Sequence, residues 1–230
     1  MYFDFHNKII FQHLFKTGGH SIYEALASMR QVDQEILNKW NQDNTYRSQG
    51  NALGFDIGNH HITFDQFHVI WPKINYQEYT KFCFIRNTYE CIVAGYKHCQ
   101  QASYYSNYPE HMREQFSRNY TFEKHVRDIW GAEFTQWEYM CFQGRFIMDF
   151  VGRFDHLQED FDRFCAENGL PARVLNKHNT AEGRKYIIPE MVERQNQHYS
   201  LWYTDELLEY VNRRAKPEIE QFGFKFDDRR

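Results

Sequence analysis

The sequence has no apolar run that approaches the ~20 residues a transmembrane helix needs. Its first residues, Met1 to His6, include no basic segment leading into an apolar stretch, so no signal peptide is expected. We therefore expect a cytoplasmic protein with no membrane span.

The cysteines are not arranged in close pairs. The chain has five cysteines, an odd number, and no C-x-x-C motif. This spacing argues against a disulfide framework and against a zinc site. We expect reduced thiols and no bound metal. The cysteines are Cys83, Cys91, Cys99, Cys141 and Cys165.

The chain also has no excess of positive charge, because it contains 27 Lys and Arg and 31 Asp and Glu, which gives a net charge of −4. An extended surface for nucleic acid or for anionic lipid is not expected, although a local basic pocket is compatible with this balance. Aromatic residues, in contrast, are abundant, with 21 Phe and 16 Tyr among 230 residues. This composition predicts one packed domain spanning residues 1–230.

Neither the Walker sequence G-x-x-x-x-G-K-[ST] nor G-x-G-x-x-G occurs. The chain has instead a short apolar run at Ile9, a Lys-Thr-Gly-Gly turn, and a helical pattern from Ile22 to Met29. A glycine turn between a strand and a helix brings backbone N–H groups and the positive end of the helix to one place, which suits an anion. By itself such a short motif is more often a plain turn. The groups that would serve the anion are Lys16, Thr17, Gly18, Gly19, His20 and Ser21.

Further strands are predicted at Tyr79 to Ile85 and at Phe146 to Val151, with helices after each. Arg86 follows the first of these strands, where open α/β sheets place ligand-binding groups; a salt bridge or a helix cap is the plainer interpretation. Thr204 is expected to cap a late helix. The alternation of strands and helices predicts an α/β fold with a mainly parallel sheet flanked by helices on both faces.

Four segments in this order resemble the sulfotransferases that use 3′-phosphoadenosine 5′-phosphosulfate, and most resemble the branch with carbohydrate enzymes such as the heparan sulfate 2-O type and its bacterial relatives. The first looks like the loop for the donor's 5′-phosphosulfate and the second like the strand and helix for its 3′-phosphate. The segments are Leu14 to Ser21, Phe84 to His98, Val151 to Phe161, and Leu175 to Asn179 with the last helix and Phe222 to Phe226.

This resemblance implies residue roles. Lys16 would contact the donor's phosphate and the bridging oxygen, with Thr17, Gly18, Gly19, His20 and Ser21 around the 5′-phosphate. Arg86 would bind the 3′-phosphate as a planar fork, and the basic loop with Lys177 would close over the nucleotide. No metal would be required.

The segment Gly58-Asn-His-His-Ile-Thr-Phe resembles the family's histidine-bearing stretch, in which the second histidine of an H-G-H pattern is the base. His61 falls on that position, and it would take the proton from the acceptor hydroxyl. His60 is the competing candidate, because adjacent residues on a strand face opposite ways.

The chain departs from the family pattern at Ala94, where a serine usually helps to hold the 3′-phosphate, and at Asn59. The leading hypothesis is a sulfotransferase acting on a hydroxyl of a sugar or small metabolite. An alternative is a module that binds adenosine 3′,5′-bisphosphate without catalysis. A P-loop-like kinase is disfavoured because the G-K-[ST] order is missing.

Overall fold

The computed structural model describes residues 1–4, 6–29, 61–70, 72, 74–101, 106, 108–130, 135–176, 185, 186 and 188–230. The strands in these ranges are β1 Tyr2–Asp4, β2 Ile9–Gln12, β3 Thr80–Ile85, β4 Cys141–Phe142, β5 Arg145–Phe146 and β6 Phe150–Arg153. The α-helices are α1 Gly19–Met29, α2 Phe64–Ile70, α3 Thr88–Cys99, α4 Glu110–Asn119, α5 Phe122–Lys124, α6 Gln136–Tyr139, α7 Leu157–Glu167, α8 Pro189–Arg194, α9 Asp205–Arg214 and α10 Lys216–Phe222. Short 3₁₀ turns cover Tyr76–Glu78, Phe154–His156 and Tyr199–Trp202, and His125–Trp130 is π-helical.

The main sheet has the strand order β1-β2-β3-β6. The strand β1 is antiparallel to β2, whereas β2, β3 and β6 are parallel. Parallel strands need a crossover, and helices supply it here, as the predicted alternation requires. The α/β fold with a mainly parallel sheet flanked by helices is thus confirmed.

Both faces of this sheet are covered because its strands are apolar on both sides. On one face, Phe82 stacks on Phe164 of α7 with ring centroids 3.8 Å apart, and Leu26 of α1 belongs to the same core. On the other face, Phe3 stacks on Phe67 of α2 at 4.6 Å. Buried strands that read as continuous hydrophobic runs are typical of sheets covered on both sides.

The third predicted strand was placed a few residues too early. The strand beside β3 is β6, Phe150–Arg153, whereas Arg145–Phe146 pairs with Cys141–Phe142 as a separate antiparallel hairpin. Gly144 lies at its turn with a φ of 73°, a backbone conformation that glycine adopts without strain. The apolar content of 146–151 is therefore divided between two sheets.

The chain forms two compact units, of which the first contains residues Met1–Arg86 and Glu138–His178 and holds the main sheet. The second contains Asn87–Trp137 and Asn179–Arg230. That the whole chain acts as one domain stays a prediction. No helix among the described residues is both long enough and apolar enough to cross a bilayer.

The second unit is built on an aromatic core. Tyr96 packs edge-on against Phe122 and Trp202, with ring centroids 5.5 Å apart in each pair. The helix expected after Thr204 is confirmed as α9, and the Thr204 side chain accepts a hydrogen bond from the Leu207 backbone N–H.

His125 also lies in this core, where it is 3% exposed and its Nδ1 is hydrogen-bonded to the Tyr120 hydroxyl. Burial lowers the pKa of His125 to about 4. The unfolded chain, with a histidine pKa of about 6.5, therefore takes up the proton first. The stabilisation from a neutral His125 is complete above about pH 6.5 and is lost as the pH falls toward 4.

We expect the free energy of unfolding to decrease by roughly 3 kcal/mol from this group between pH 6.5 and 4, at ~1.4 kcal/mol per pH unit. Urea unfolding at several pH values should show this decrease in the wild type and a shallower decrease in His125→Phe, which cannot take up the proton. Equal slopes in the two proteins would contradict this account of His125.

Candidate functional site

The loop from Leu14 to Gly18 connects β2 to α1 in a tight, strained turn. Lys16 has a φ of 61° and Gly18 a φ of 80°. A left-handed conformation costs a non-glycine residue about 1 kcal/mol or more, and such strain is concentrated at functional sites. The turn places the half-buried Lys16 directly before the first turn of α1.

The helix α1 begins at Gly19, three residues earlier than the apolar pattern predicted. The backbone N–H groups of Ser21 and Ile22 both donate to the Gly18 carbonyl oxygen, at 3.1 and 3.4 Å, so the turn leads directly into the helix. Gly19, His20 and Ser21 thus form the first turn, where the positive end of the helix dipole favours an anion.

The side chains around this turn differ in their burial and in their contacts. Thr17 is fully buried, and its Oγ1 donates to the Leu14 carbonyl oxygen at 3.0 Å, so this hydroxyl stabilises the loop itself. His20 is exposed and lies 3.6 Å from the Glu24 carboxylate, one turn further along α1. Ser21 is buried, with 7% of its surface exposed.

Glycine is required at position 19 because the His13 imidazole lies against its Cα. A Cβ built on Gly19 would be 1.9 Å from His13 Cδ2, far inside contact distance. A Cβ on Gly18 would be 2.8 Å from Leu157 Cδ2. The loop is therefore packed between the end of β2 on one side and the start of α7 on the other.

Cationic side chains follow the carboxyl ends of all three parallel strands. Lys16 follows β2, Arg86 follows β3, and Arg153 is the last residue of β6, in register with Ile85. The half-buried Arg86 guanidinium lies over the Phe154 ring, 4.4 Å from its centroid. Stacking of this kind uses the flat face of the guanidinium and leaves its N–H fork pointing sideways.

Arg153 has no role in the sequence-based assignment. Its Nε lies 3.4 Å from Asp155 Oδ1, and its backbone N–H donates to Asp160 Oδ2 at 2.7 Å. The signal that could have identified it is its position at the end of a parallel strand, which the misplaced third strand concealed.

The His61 imidazole lies at the end of β2. Its Nδ1 is 3.2 Å from the His13 carbonyl oxygen. Since a carbonyl oxygen can only accept, Nδ1 carries the proton in the neutral ring, and the lone pair is on Nε2. The ring also contacts the rings of His13 and Phe15, with centroid distances of 4.7 and 5.3 Å.

Phe15 connects the two residues expected to perform the chemistry. Its ring is edge-on to His61, and Lys16 Nζ is 5.9 Å from its centroid. The structure thus brings Lys16, the start of α1 and His61 together at the carboxyl end of β2, with Arg86 after the adjacent strand. His60 and Lys177 lie outside the described residues.

All five cysteines are reduced thiols, and four of them are buried. Burial raises the pKa of Cys141 and of Cys165 to about 11, so neither thiol is reactive at neutral pH. Over the described ranges, no three His, Cys, Asp or Glu side chains are grouped as metal ligands would be.

We expect Gly19→Ala to lower the free energy of unfolding by about 1–3 kcal/mol, the usual cost of overpacking, because the new methyl group displaces the His13 ring. Urea denaturation measures this effect. In a Gly19→Ala/His13→Ala double variant the methyl group has room, so its cost in the His13→Ala background should be smaller than in the wild type. Equal costs in both backgrounds would argue against the contact.

Comparison with known proteins yields a family match over nearly the whole chain. A family model described as "Sulfotransferase family" matches residues 1–225. An uncharacterized protein of Archaeoglobus fulgidus is 27% identical over 111 residues, which cover 47% of this chain and 82% of that protein. No solved structure matches. Since the family model extends over nearly the whole sequence, the chain belongs to the sulfotransferase family.

Proposed function

We propose that the protein transfers a sulfuryl group from 3′-phosphoadenosine 5′-phosphosulfate to an acceptor hydroxyl. The observation that carries this proposal is the arrangement at the carboxyl end of β2, where Phe15 contacts Lys16 and the His61 imidazole, and Gly19 of α1 packs on His13. One side of such a cluster can hold the anionic donor, and the other can deprotonate an acceptor. An in-line sulfuryl transfer requires a cation beside the leaving group and a base beside the attacking hydroxyl.

On the donor side, Lys16 would contact the 5′-phosphate and the bridging oxygen. That oxygen gains negative charge as the bond to sulfur breaks, so a fixed cation beside it lowers the barrier. Gly18, Gly19, His20 and Ser21 would surround the phosphate at the positive end of α1, and Thr17 would contribute by holding the turn closed. In this proposal Lys16 and the backbone dipoles provide the positive charge, without a metal.

Arg86 would bind the 3′-phosphate. Its stacking on Phe154 fixes the plane of the guanidinium, and a fixed planar fork matches two phosphate oxygens. Lys177 is proposed to close over the nucleotide, on the resemblance alone.

On the acceptor side, His61 Nε2 would remove the hydroxyl proton while the hydroxyl oxygen attacks sulfur. The bond between sulfur and the bridging oxygen breaks, and its electron pair leaves with adenosine 3′,5′-bisphosphate. Support for His61 comes from its tautomer, since the bond from Nδ1 to the His13 carbonyl leaves Nε2 as the basic nitrogen. His60 remains the alternative base.

The acceptor is proposed to be a sugar or a small metabolite. Phe15, 37% exposed beside His61, offers an apolar edge on which a ring could rest. Membership of the carbohydrate branch of the family is proposed from the resemblance of the four sequence segments.

We expect adenosine 3′,5′-bisphosphate to bind more tightly than 5′-AMP in calorimetric titrations, and we expect Arg86→Ala to abolish that preference. The loss of a charge-assisted bidentate contact costs roughly 1.5–3 kcal/mol, or about tenfold to a hundredfold in Kd. Arg163 is a matched control, because its guanidinium also lies over a ring, that of Phe150, but at the opposite end of β6. Arg163→Ala should keep the preference.

Equal binding of the two nucleotides by the wild type would contradict the donor assignment. If both Arg86→Ala and Arg163→Ala lose binding of adenosine 3′,5′-bisphosphate, the loss reflects a disturbed fold. The assignment of the 3′-phosphate to Arg86 would then have no support.

We expect His61→Ala to lose turnover by roughly 10²–10⁴-fold, the usual contribution of a general base, while it binds adenosine 3′,5′-bisphosphate as the wild type does. Sulfuryl transfer to a panel of sugar and phenol acceptors measures the rate. His68→Ala is the control, because His68 is also partly buried in the first unit but is hydrogen-bonded to Tyr76 instead. Unchanged turnover in His61→Ala would remove His61 as the base.

The alternative function, a nucleotide-binding module without catalysis, makes a different prediction in the same experiments. Such a module would bind adenosine 3′,5′-bisphosphate through Arg86 but would transfer no sulfuryl group to any acceptor, with or without His61.

A further inference from the structure

Hydrogen bonds from Gln12, Tyr139 and His61 itself hold the backbone and ring of the segment at His61. Gln12 Nε2 donates to the Ile62 carbonyl oxygen at 2.8 Å, and Tyr139 Oη donates to the His61 carbonyl oxygen at 3.3 Å. His61 Nδ1 donates to the His13 carbonyl oxygen at 3.2 Å. The first two bonds fix the backbone on the carboxyl side of His61 and of Ile62, and the third fixes the rotation of the imidazole.

Gln12 makes its contact from inside the sheet. It is the last residue of β2, it is paired with Cys83 of β3, and its side chain is 0% exposed. Among the described residues, its buried Oε1 has no hydrogen-bond partner, which is an unfavourable state for an acceptor. The favourable contact of this amide is therefore the hydrogen bond from its Nε2. That bond helps to fix the position of the segment that carries His61.

Tyr139 approaches the same segment from a distant part of the sequence. It ends α6, it is 9% exposed, and 78 residues separate it from His61. Its hydroxyl thus connects the end of α6 to the peptide group between His61 and Ile62.

We propose that Gln12 and Tyr139 are positioning residues that act through His61. This inference rests on the proposed function, in which His61 is the base, and it adds two residues that do not touch the reacting atoms. A general base must be within hydrogen-bond reach of the proton that it removes, and a misplacement of about 1 Å can cost ~10²-fold in rate. Removing either donor frees the His61–Ile62 backbone to shift without altering the imidazole itself.

The chain offers a matched control for Gln12. Gln100, in the second unit, is also 0% exposed, and its Nε2 donates to the Tyr120 carbonyl oxygen at 2.8 Å. Its buried Oε1 likewise has no partner within the part of the chain that the structure describes. Gln12→Met and Gln100→Met therefore remove the same kind of hydrogen bond from the same degree of burial. Met has a similar length and no donor, so neither substitution leaves a large cavity.

The experiment compares Gln12→Met, Gln100→Met and Tyr139→Phe with the wild type. It measures kcat and KM with the best acceptor from the sugar and phenol panel, and the Kd of adenosine 3′,5′-bisphosphate. We expect Gln12→Met to lower kcat by roughly tenfold to a hundredfold and Tyr139→Phe by about threefold to tenfold, with Kd unchanged. Gln100→Met should keep the wild-type kcat. If Gln12→Met does not fold, Tyr139→Phe decides the question, because it removes only a hydroxyl.

A double-variant series shows whether the effect passes through His61. In the His61→Ala background, the residual transfer rate should not decrease further when Gln12→Met or Tyr139→Phe is added. A further decrease by the same factor as in the wild type would overturn the inference, as would a wild-type kcat in Gln12→Met and Tyr139→Phe.

Failure of the proposed function looks different. A wild-type protein that transfers no sulfuryl group, or a fully active His61→Ala variant, overturns the proposed function and this inference with it. An active wild type and an inactive His61→Ala, together with kcat values for Gln12→Met and Gln100→Met that match, overturn only the role of Gln12.

Discussion

The parallel pairing of β2 with β3 is the constraint on which the candidate site depends. Gln12 is in register with Cys83, so both strands end at the same edge of the sheet, and the loop with Lys16 emerges beside Arg86. Parallel strands bring their carboxyl ends together, and the crossover between them brings a helix start to the same edge. The pairing thus collects two cations and a helix dipole from segments about 70 residues apart.

Close packing connects the residues of the candidate site at this edge. The Gly19 Cα lies against the His13 ring, and that ring lies against His61. The His13 carbonyl oxygen accepts a hydrogen bond from the Nδ1–H of His61. His13, the residue after β2, therefore limits both the approach of the proposed anion-binding turn and the orientation of the proposed base. A change at Gly19 or His13 would be transmitted to both halves of the proposed reaction, because rigid interiors pass on small displacements.

The strain at Lys16 fits the same arrangement. A lysine with a positive φ, fixed between a buried Leu14 and a glycine turn, loses less freedom when it meets an anion than a lysine on a relaxed surface loop would. The Thr17 hydroxyl, which the sequence suggested as a phosphate donor, contributes to this fixed shape by bonding to the loop backbone. Preorganisation of this kind is what an electrostatic contribution to catalysis requires.

Much of this could be predicted from local sequence. The apolar run at Ile9, the run from Tyr79 to Ile85 and the cap at Thr204 specify two strands and a helix, because burial and capping act over a few neighbouring residues. The Lys-Thr-Gly-Gly turn and Arg86 were recognisable because each directly follows a strand. The family was recognisable from the order of its four segments.

What only the tertiary structure decided depends on contacts between distant residues. Gln12 in the sheet, the His13 carbonyl beneath His61 and the Tyr139 hydroxyl have no local signature, since their partners lie 48 to 78 residues away. The same holds for the division of residues 146–151 between a hairpin and the main sheet, because both outcomes suit a short apolar run. The sequence by itself determined which elements form and which residues carry charge; packing decided which side chains meet, because a hydrogen bond between remote segments is set by the fold and not by neighbours in the chain.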